Sequence, residues 1–279
     1  MTVPLTHTLN DGAMLPAVGF GTYPLKGENG IRAIVSALDA GYRLLDTAVN
    51  YENETEVGEA IRRSGIDRDE LVVQTKIPGR DHEYASAIAS VEGSLARLGL
   101  ERVDVGLIHW PNPSRGLYVD AYRALVECQR RGLLGSVGVS NFTERHLLDV
   151  IDATGVVPVV NQIELHPLFP QVGMRKVHER LGIRTEAWSP LGKRSAPFDA
   201  EPVAAAAAAH RVTPAQVVLR WQLQLGVVPL PKSADPDRQR TNLDLFGFEL
   251  TPAELDAVAG LARPDGRLFD GDPETHEEM

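Results

Sequence analysis

Four residues of proton-moving types follow apolar runs. Asp46 comes after Tyr42-Arg43-Leu44-Leu45, and Tyr51 lies five residues further on. Lys76 closes Leu71-Val72-Val73-Gln74-Thr75, and His109 closes Val103-Asp104-Val105-Gly106-Leu107-Ile108. A polar residue at one strand end is explained well enough by its meeting water. The set resists that explanation, because lysine is scarce (Lys26, Lys76, Lys176, Lys193 and Lys232) and two of those lysines stand at such ends. A tyrosine in water titrates at about pH 10 and is a poor acid at neutral pH. A neighbouring ammonium favours the tyrosinate, and a buried ammonium needs a carboxylate such as Asp46. Beside that phenol His109 could hold a substrate oxygen. The group suits proton delivery to a carbonyl oxygen as it becomes an alkoxide. It contains no obvious nucleophile, and His109 and His166 lack metal-ligand spacing. The hydride must come from elsewhere, which implies a nicotinamide cofactor.

The elements that would position these groups are short apolar strands alternating with amphipathic helices. Candidate strands cover 18–20, 42–45, 71–75, 103–108, 134–139, 159–163, 183–188 and 227–230. Between them, 31–40, 55–63, 84–98, 119–130, 144–153, 173–181 and 214–225 repeat apolar residues at helical intervals. Asn10-Asp11-Gly12 between 5–9 and 14–15 reads as an N-terminal hairpin. Eight strands in such alternation predict an α/β fold, a (β/α)8 TIM barrel, with a hairpin closing the bottom and a C-terminal tail over the active-site face. An open dinucleotide-binding sheet is the rival, but Gly19-Phe20-Gly21-Thr22-Tyr23-Pro24 lacks its third glycine and carries a helix-breaking proline. No boundary divides the chain, so residues 1–279 are expected to be a single barrel domain.

Composition narrows the partners. The formal net charge of −10 argues against nucleic acid and anionic membranes. One cysteine, Cys128, permits no disulfide within the chain and reads as a small buried hydrophobe. The N-terminus shows no signal-peptide pattern, and no apolar run is long enough to span a bilayer. These features predict a cytoplasmic protein.

In a barrel the chemistry sits at the C-terminal strand ends. In order those ends present Asp46, Lys76, His109, Ser140-Asn141, Gln162, Trp188-Ser189 and Lys232-Ser233. Together with Gly19-Phe20-Gly21-Thr22, Asp46-Thr47-Ala48-Val49-Asn50-Tyr51-Glu52-Asn53-Glu54, His109-Trp110-Pro111, Gly138-Val139-Ser140-Asn141-Phe142 and Pro231-Lys232-Ser233, the chain resembles the aldo-keto reductases over nearly its whole length. Its short loops resemble the bacterial branch that includes 2,5-diketo-D-gluconate reductases.

The resemblance implies a catalytic tetrad of Asp46, Tyr51, Lys76 and His109, with Tyr51 as general acid. It implies that Ser140, Asn141 and Gln162 hold the nicotinamide amide and that Trp188 stacks on its ring. Lys232 and Ser233 would take a 2′-phosphate, with Arg238 and Asn242 near the adenine and Leu191 and Leu230 along the cofactor. Tyr23, Trp110 and His109 would line the substrate mouth. The implied cofactor is NADPH, with NADH as an alternative because Asp235 stands where relatives often carry an arginine. The implied partner is a small carbonyl compound, and the implied state is a monomer. The alternative is a cofactor-binding redox sensor or regulatory protein on the same fold.

Overall fold

Residues 5–269 and 271–279 are described by a computed structural model. The leaderless reading of the N-terminus falls partly on residues 1–4, outside the described residues. A hairpin of β1 (Thr6–Thr8) and β2 (Met14–Pro16) comes first. Its Leu9 and Leu15 pack with Leu44, Val105, Leu107 and Val160 of the barrel interior, so it plugs the bottom. At its turn Asn10 donates to the Pro158 carbonyl (3.0 Å), and Asp11 accepts from Ser136 (2.6 Å).

Eight parallel strands follow in chain order. They are β3 (Phe20–Gly21), β4 (Leu44–Asp46), β5 (Val72–Ile77), β6 (Val103–Ile108), β7 (Leu134–Ser140), β8 (Val160–Glu164), β9 (Arg184–Trp188) and β10 (Val228–Pro229). Each pairs with its sequence neighbour. The seam between last and first is closed by Gly19 N–H to the Pro229 carbonyl (3.0 Å) and Gly21 N–H to the Pro231 carbonyl (3.1 Å). Glycine is needed there, because a Cβ on Gly19 would lie 2.4 Å from the Leu230 side chain and 2.7 Å from that of Leu44. The result is the (β/α)8 barrel that the alternation predicts.

The helices α1 (Gly27–Ala40), α2 (Glu54–Ser64), α3 (Tyr84–Leu98), α4 (Tyr118–Arg130), α5 (Glu144–Thr154), α6 (Val172–Leu181), α7 (Glu201–His210) and α8 (Pro214–Gln224) surround the strands. Then come α9 (Pro236–Leu243) and α10 (Pro252–Ala259). Among the described residues no helix is long and apolar enough to cross a membrane. Cys128 is buried on α4, and burial pushes its thiol up to about 11.

The strands differ from the sequence reading at the rim. β4, β5, β7 and β8 run on through Asp46, Ile77, Ser140 and Glu164, so Lys76 lies inside its strand rather than after it. Apolar runs stop where polar groups begin, but the ladder continues as long as a neighbour pairs. Lys76 is still in register with Leu107, and Ser140 with Gln162. β3 and β10 are instead cut short: Pro229 and Pro231 carry no N–H and serve the seam only as acceptors.

Candidate active site

Side chains alternate along a strand, so Gln74 and Lys76 share the inner face of β5. Asp46 of β4 is in register with Gln74, and Gln162 of β8 with Glu186 of β9. Inside the barrel these residues meet. Lys76 is fully buried and its Nζ lies 2.6 Å from Asp46 Oδ1, 2.9 Å from the Thr47 carbonyl and 3.5 Å from Tyr51 Oη. Burial works against the Lys76 charge, but Asp46, Tyr51 and Glu186 together hold the ammonium above the ordinary lysine range. Tyr51 stands on a 3-10 turn, Val49–Tyr51, just past β4. Burial pushes its phenol up to about 12; Lys76 pulls it down, while Asp46 and Glu278 add to the rise.

His109 faces Tyr51 edge to face, with ring centroids 5.6 Å apart. Its Nδ1 is 2.7 Å from Glu278 Oε1, an ion-pair distance that lacks hydrogen-bond alignment. Glu278 belongs to the C-terminal tail, which is seated firmly. Asn50 donates to Glu278 Oε1 (2.8 Å), Asn112 to its carbonyl, and Ser114 N–H to Glu277 (2.8 Å). Gly79 makes room for this arrangement, since a Cβ there would be 2.1 Å from the Glu278 carbonyl oxygen. Despite its burial, Glu278 is held below the usual carboxylate range by His109, Asn50 and Lys76.

A cavity of about 660 Å³ opens over this layer. At one end Tyr23, Tyr51, His109, Trp110, Trp188 and Phe269 form its wall. Trp188 stacks on Phe269 (5.7 Å, 28°), and Tyr23 lies 5.1 Å from Tyr51. The cavity runs past Asn141, Gln162, Leu191 and Leu230 to Lys193 and Lys232. Both lysines are exposed, and among the described residues no carboxylate lies within ion-pair distance of either. A long slot with an aromatic end and a cationic end fits a phosphate-bearing nicotinamide dinucleotide.

Most of the sequence-predicted residues converge on this slot, but several are engaged with the protein itself. Lys76 sits beneath it. Asn141 adopts a left-handed φ of 63°, donates to the His109 carbonyl and Ser140 Oγ (both 3.0 Å), and accepts from Trp188 Nε1 (2.8 Å). The Ser140 hydroxyl donates to the Gln162 carbonyl (2.8 Å). Gln162 Nε2 donates to Asp46 (2.9 Å) and Glu186 (2.9 Å). Ser233, Arg238 and Asn242 are not among the cavity's walls. Ser233 Oγ accepts from Asp235 N–H (3.1 Å), and Asn242 is buried. Arg238 is exposed, 3.7 Å from Asp235 Oδ2. Asp235 itself caps α9: its Oδ1 accepts from the N–H groups of Asp237 (2.9 Å) and Arg238 (3.0 Å). Those backbone donors and the Arg238 charge keep its carboxyl below the usual range.

Sequence reasoning missed Gln74, Glu186 and Glu278. The first two carried a readable signal, since each stands two residues before an inward-facing site residue on the same strand, Lys76 and Trp188. Glu278 carried none, because nothing local to the tail says where it lands.

Fold and constellation define a barrel oxidoreductase whose rim places a phenol, an ammonium and an imidazole around one pocket. Residues 17–263 match the model of the Aldo/keto reductase family. The chain is 58% identical over 274 residues to 2,5-diketo-D-gluconic acid reductase B of Corynebacterium sp. (strain SHS752001), covering 98% of each. It is 46% identical over 269 residues to an aldo-keto reductase of Mycolicibacterium smegmatis, covering 96% of each. A variant of Gox0644 solved in complex with NADPH superposes with a TM-score of 0.93 at 41% identity, over 98% of both chains. The Bombyx mori aldo-keto reductase solved with NADP gives 0.90 at 31%, over 99% of this chain and 98% of that one. The chain belongs to the aldo/keto reductase family, and it is an NAD(P)H-dependent oxidoreductase.

Proposed function

We propose that the protein reduces aldehydes and ketones to alcohols, keto-sugars and dicarbonyls among them, with NADPH as reductant. One observation carries the reading: a fully buried ammonium, Lys76, bridges a carboxylate, Asp46, and a cavity-facing phenol, Tyr51. When bound, the nicotinamide supplies a hydride to the carbonyl carbon. Tyr51 then gives its proton to the carbonyl oxygen. Lys76, anchored by Asp46 and the Thr47 carbonyl, stabilises the tyrosinate left behind. His109 orients the carbonyl oxygen from the other side. Gln162 and Asn141 would hold the carboxamide, with Ser140 fixing the strand end behind them and Trp188 available to the ring. Leu191 and Leu230 would line the cofactor. Lys232 would take its phosphates, with Ser233, Arg238 and Asn242 reached only beyond the cavity wall, on the adenosine side.

NADPH is favoured because the cationic end holds Lys193 and Lys232, with no carboxylate partner for either among the described residues, and Asp235 spends its charge on a helix cap and Arg238. The related reductase named for 2,5-diketo-D-gluconic acid supports small polar carbonyl substrates. The enzyme acts as a cytoplasmic monomer of one domain. A screen of NADPH oxidation across aldehydes, ketones and keto-sugars, repeated with NADH, tests the reading. Carbonyl-dependent oxidation, faster with NADPH, is expected; none with any carbonyl would overturn it.

A further inference from the structure

Beneath the tetrad lies a second carboxyl group to which the reaction above gives no role. Glu186 is completely buried in the barrel interior. Gln74 Nε2 donates to Asp46 Oδ1 and to Glu186 Oε2, both at 2.8 Å. Gln162 Nε2 does the same at 2.9 Å to each. Two amides thus clamp two carboxyl groups together, and one of these is the direct partner of Lys76. Asp46 Oδ1 therefore receives three donors, while Glu186 Oε2 receives two and Glu186 Oε1 none. Gln74 Oε1, in the same layer, is also buried without a donor. A carboxylate oxygen buried with no donor is costly, whereas a proton on it turns an orphan acceptor into a donor.

We propose that Glu186 is a positioning residue for catalysis: its carboxyl gains and loses a proton within the clamp and so sets the net charge that Lys76 presents to Tyr51. The proposal rests on the carbonyl-reductase reading of the site. With Glu186 neutral, Lys76 and Asp46 form a balanced pair under the phenol. With Glu186 ionised, the layer carries one extra negative charge, tyrosinate becomes costlier, and proton donation to the carbonyl slows. The charged groups facing Glu186 are Asp46 on β4 and Lys76 on β5, with the neutral amides of Gln74 and Gln162; on its other side β10 sets Val228 in register with it. Burial raises its carboxyl to about 7, and Asp46 adds to the rise against the two amides and Lys76. Ionisation thus falls where activity is ordinarily measured.

The test has two arms on the full chain. In the first, kcat for carbonyl reduction at saturating NADPH is followed across neutral pH. The wild type should lose on the order of tenfold as pH rises through neutrality, the scale of one charge added in a low-dielectric interior. Glu186→Gln should lose that limb while keeping its affinity for NADPH. An unchanged limb in Glu186→Gln overturns the proposal. In the second arm, the infrared carbonyl stretch of a protonated carboxylic acid is titrated without substrate. A band present at acidic pH, fading through neutrality, absent from Glu186→Gln and retained at a shifted frequency in Glu186→Asp supports it. No such band in the wild type overturns it, whatever the fate of the glutamine variant. If the wild type reduces no carbonyl, the functional reading fails, and the infrared arm still decides the proton on Glu186.

Discussion

At one end of the cavity, Lys76 is locked by three partners inside a layer where Asp46, Gln74, Gln162 and Glu186 are hydrogen-bonded to one another. At the other, Lys193 and Lys232 stand exposed, and beyond the cavity wall Arg238 is exposed near the start of α9 while Asp235 is held by two backbone N–H groups. The first end is built from strands, and losing either Lys76 or Asp46 would strand a buried charge. The second is built from a turn and a cap, and single side chains there can change without disturbing the barrel. On the proposed function, chemistry falls to the interlocked part of the fold and cofactor choice to the exposed part.

The sharpest way to break this contrast is at Tyr51. Tyr51→Phe removes the proposed proton donor and should lower turnover by roughly 10²–10⁴-fold, with the NADPH Kd from tryptophan fluorescence unchanged. Turnover within a few-fold of the wild type would remove Tyr51 from the chemistry. Lys76→Met leaves Asp46 buried without its cation and should cost about 3–5 kcal/mol in urea unfolding, beyond its loss of activity. A stability change near zero would mean that the layer is not over-determined as described.

Glu278→Gln addresses the seam between tail and rim. It frees His109 from its 2.7 Å partner in the tail while also removing a charge that raises the Tyr51 phenol, so the KM for the carbonyl should rise a few-fold with kcat and the NADPH Kd little altered. At the adjustable end, Asp235→Asn keeps a capping side chain and removes the charge. It should tighten NADPH by a few-fold, more at low salt, and leave both NADH affinity and Tm as they were. An effect on Tm as large as that of Lys76→Met would erase the contrast.

Acid should act on the scaffold rather than on either end. His178 of α6 is buried against β8 and β9, where its Nε2 accepts from Asn161 (2.9 Å) and its Nδ1–H donates to Thr185 (2.8 Å). Burial lowers its pKa to about 4, as it does for His7 and His82. The unfolded chain takes up these protons near about pH 6.5 and the folded one only near 4, so stability falls as pH drops between those values. Tm measured across that range should decline, and His178→Gln should make the decline shallower.

The rim is legible from the sequence because a barrel strand announces itself by an apolar run, and Asp46, Lys76 and His109 stand where those runs give out. The same rule misplaces the strand ends, since hydrogen-bond pairing does not stop when side chains become polar. It also passes over Gln74, which looks like one polar interruption in a strand, and Glu186, which looks like another. In the sequence Arg238 is expected near the adenine and Asp235 looks like a phosphate repeller; in the fold they face each other across a helix cap.

The sequence by itself determined the alternation of elements and the order in which Asp46, Lys76 and His109 stand around the rim, because strand periodicity and parallel register are local properties. Only the tertiary structure decided that four strands bring Asp46, Lys76, Gln162 and Glu186 into one hydrogen-bonded layer, and that the chain's last residues return to His109. Those meetings depend on closure of the seam at Gly19 and on the space left by Gly79. Closure and space are set by what lies across the barrel, not by what lies next in the chain.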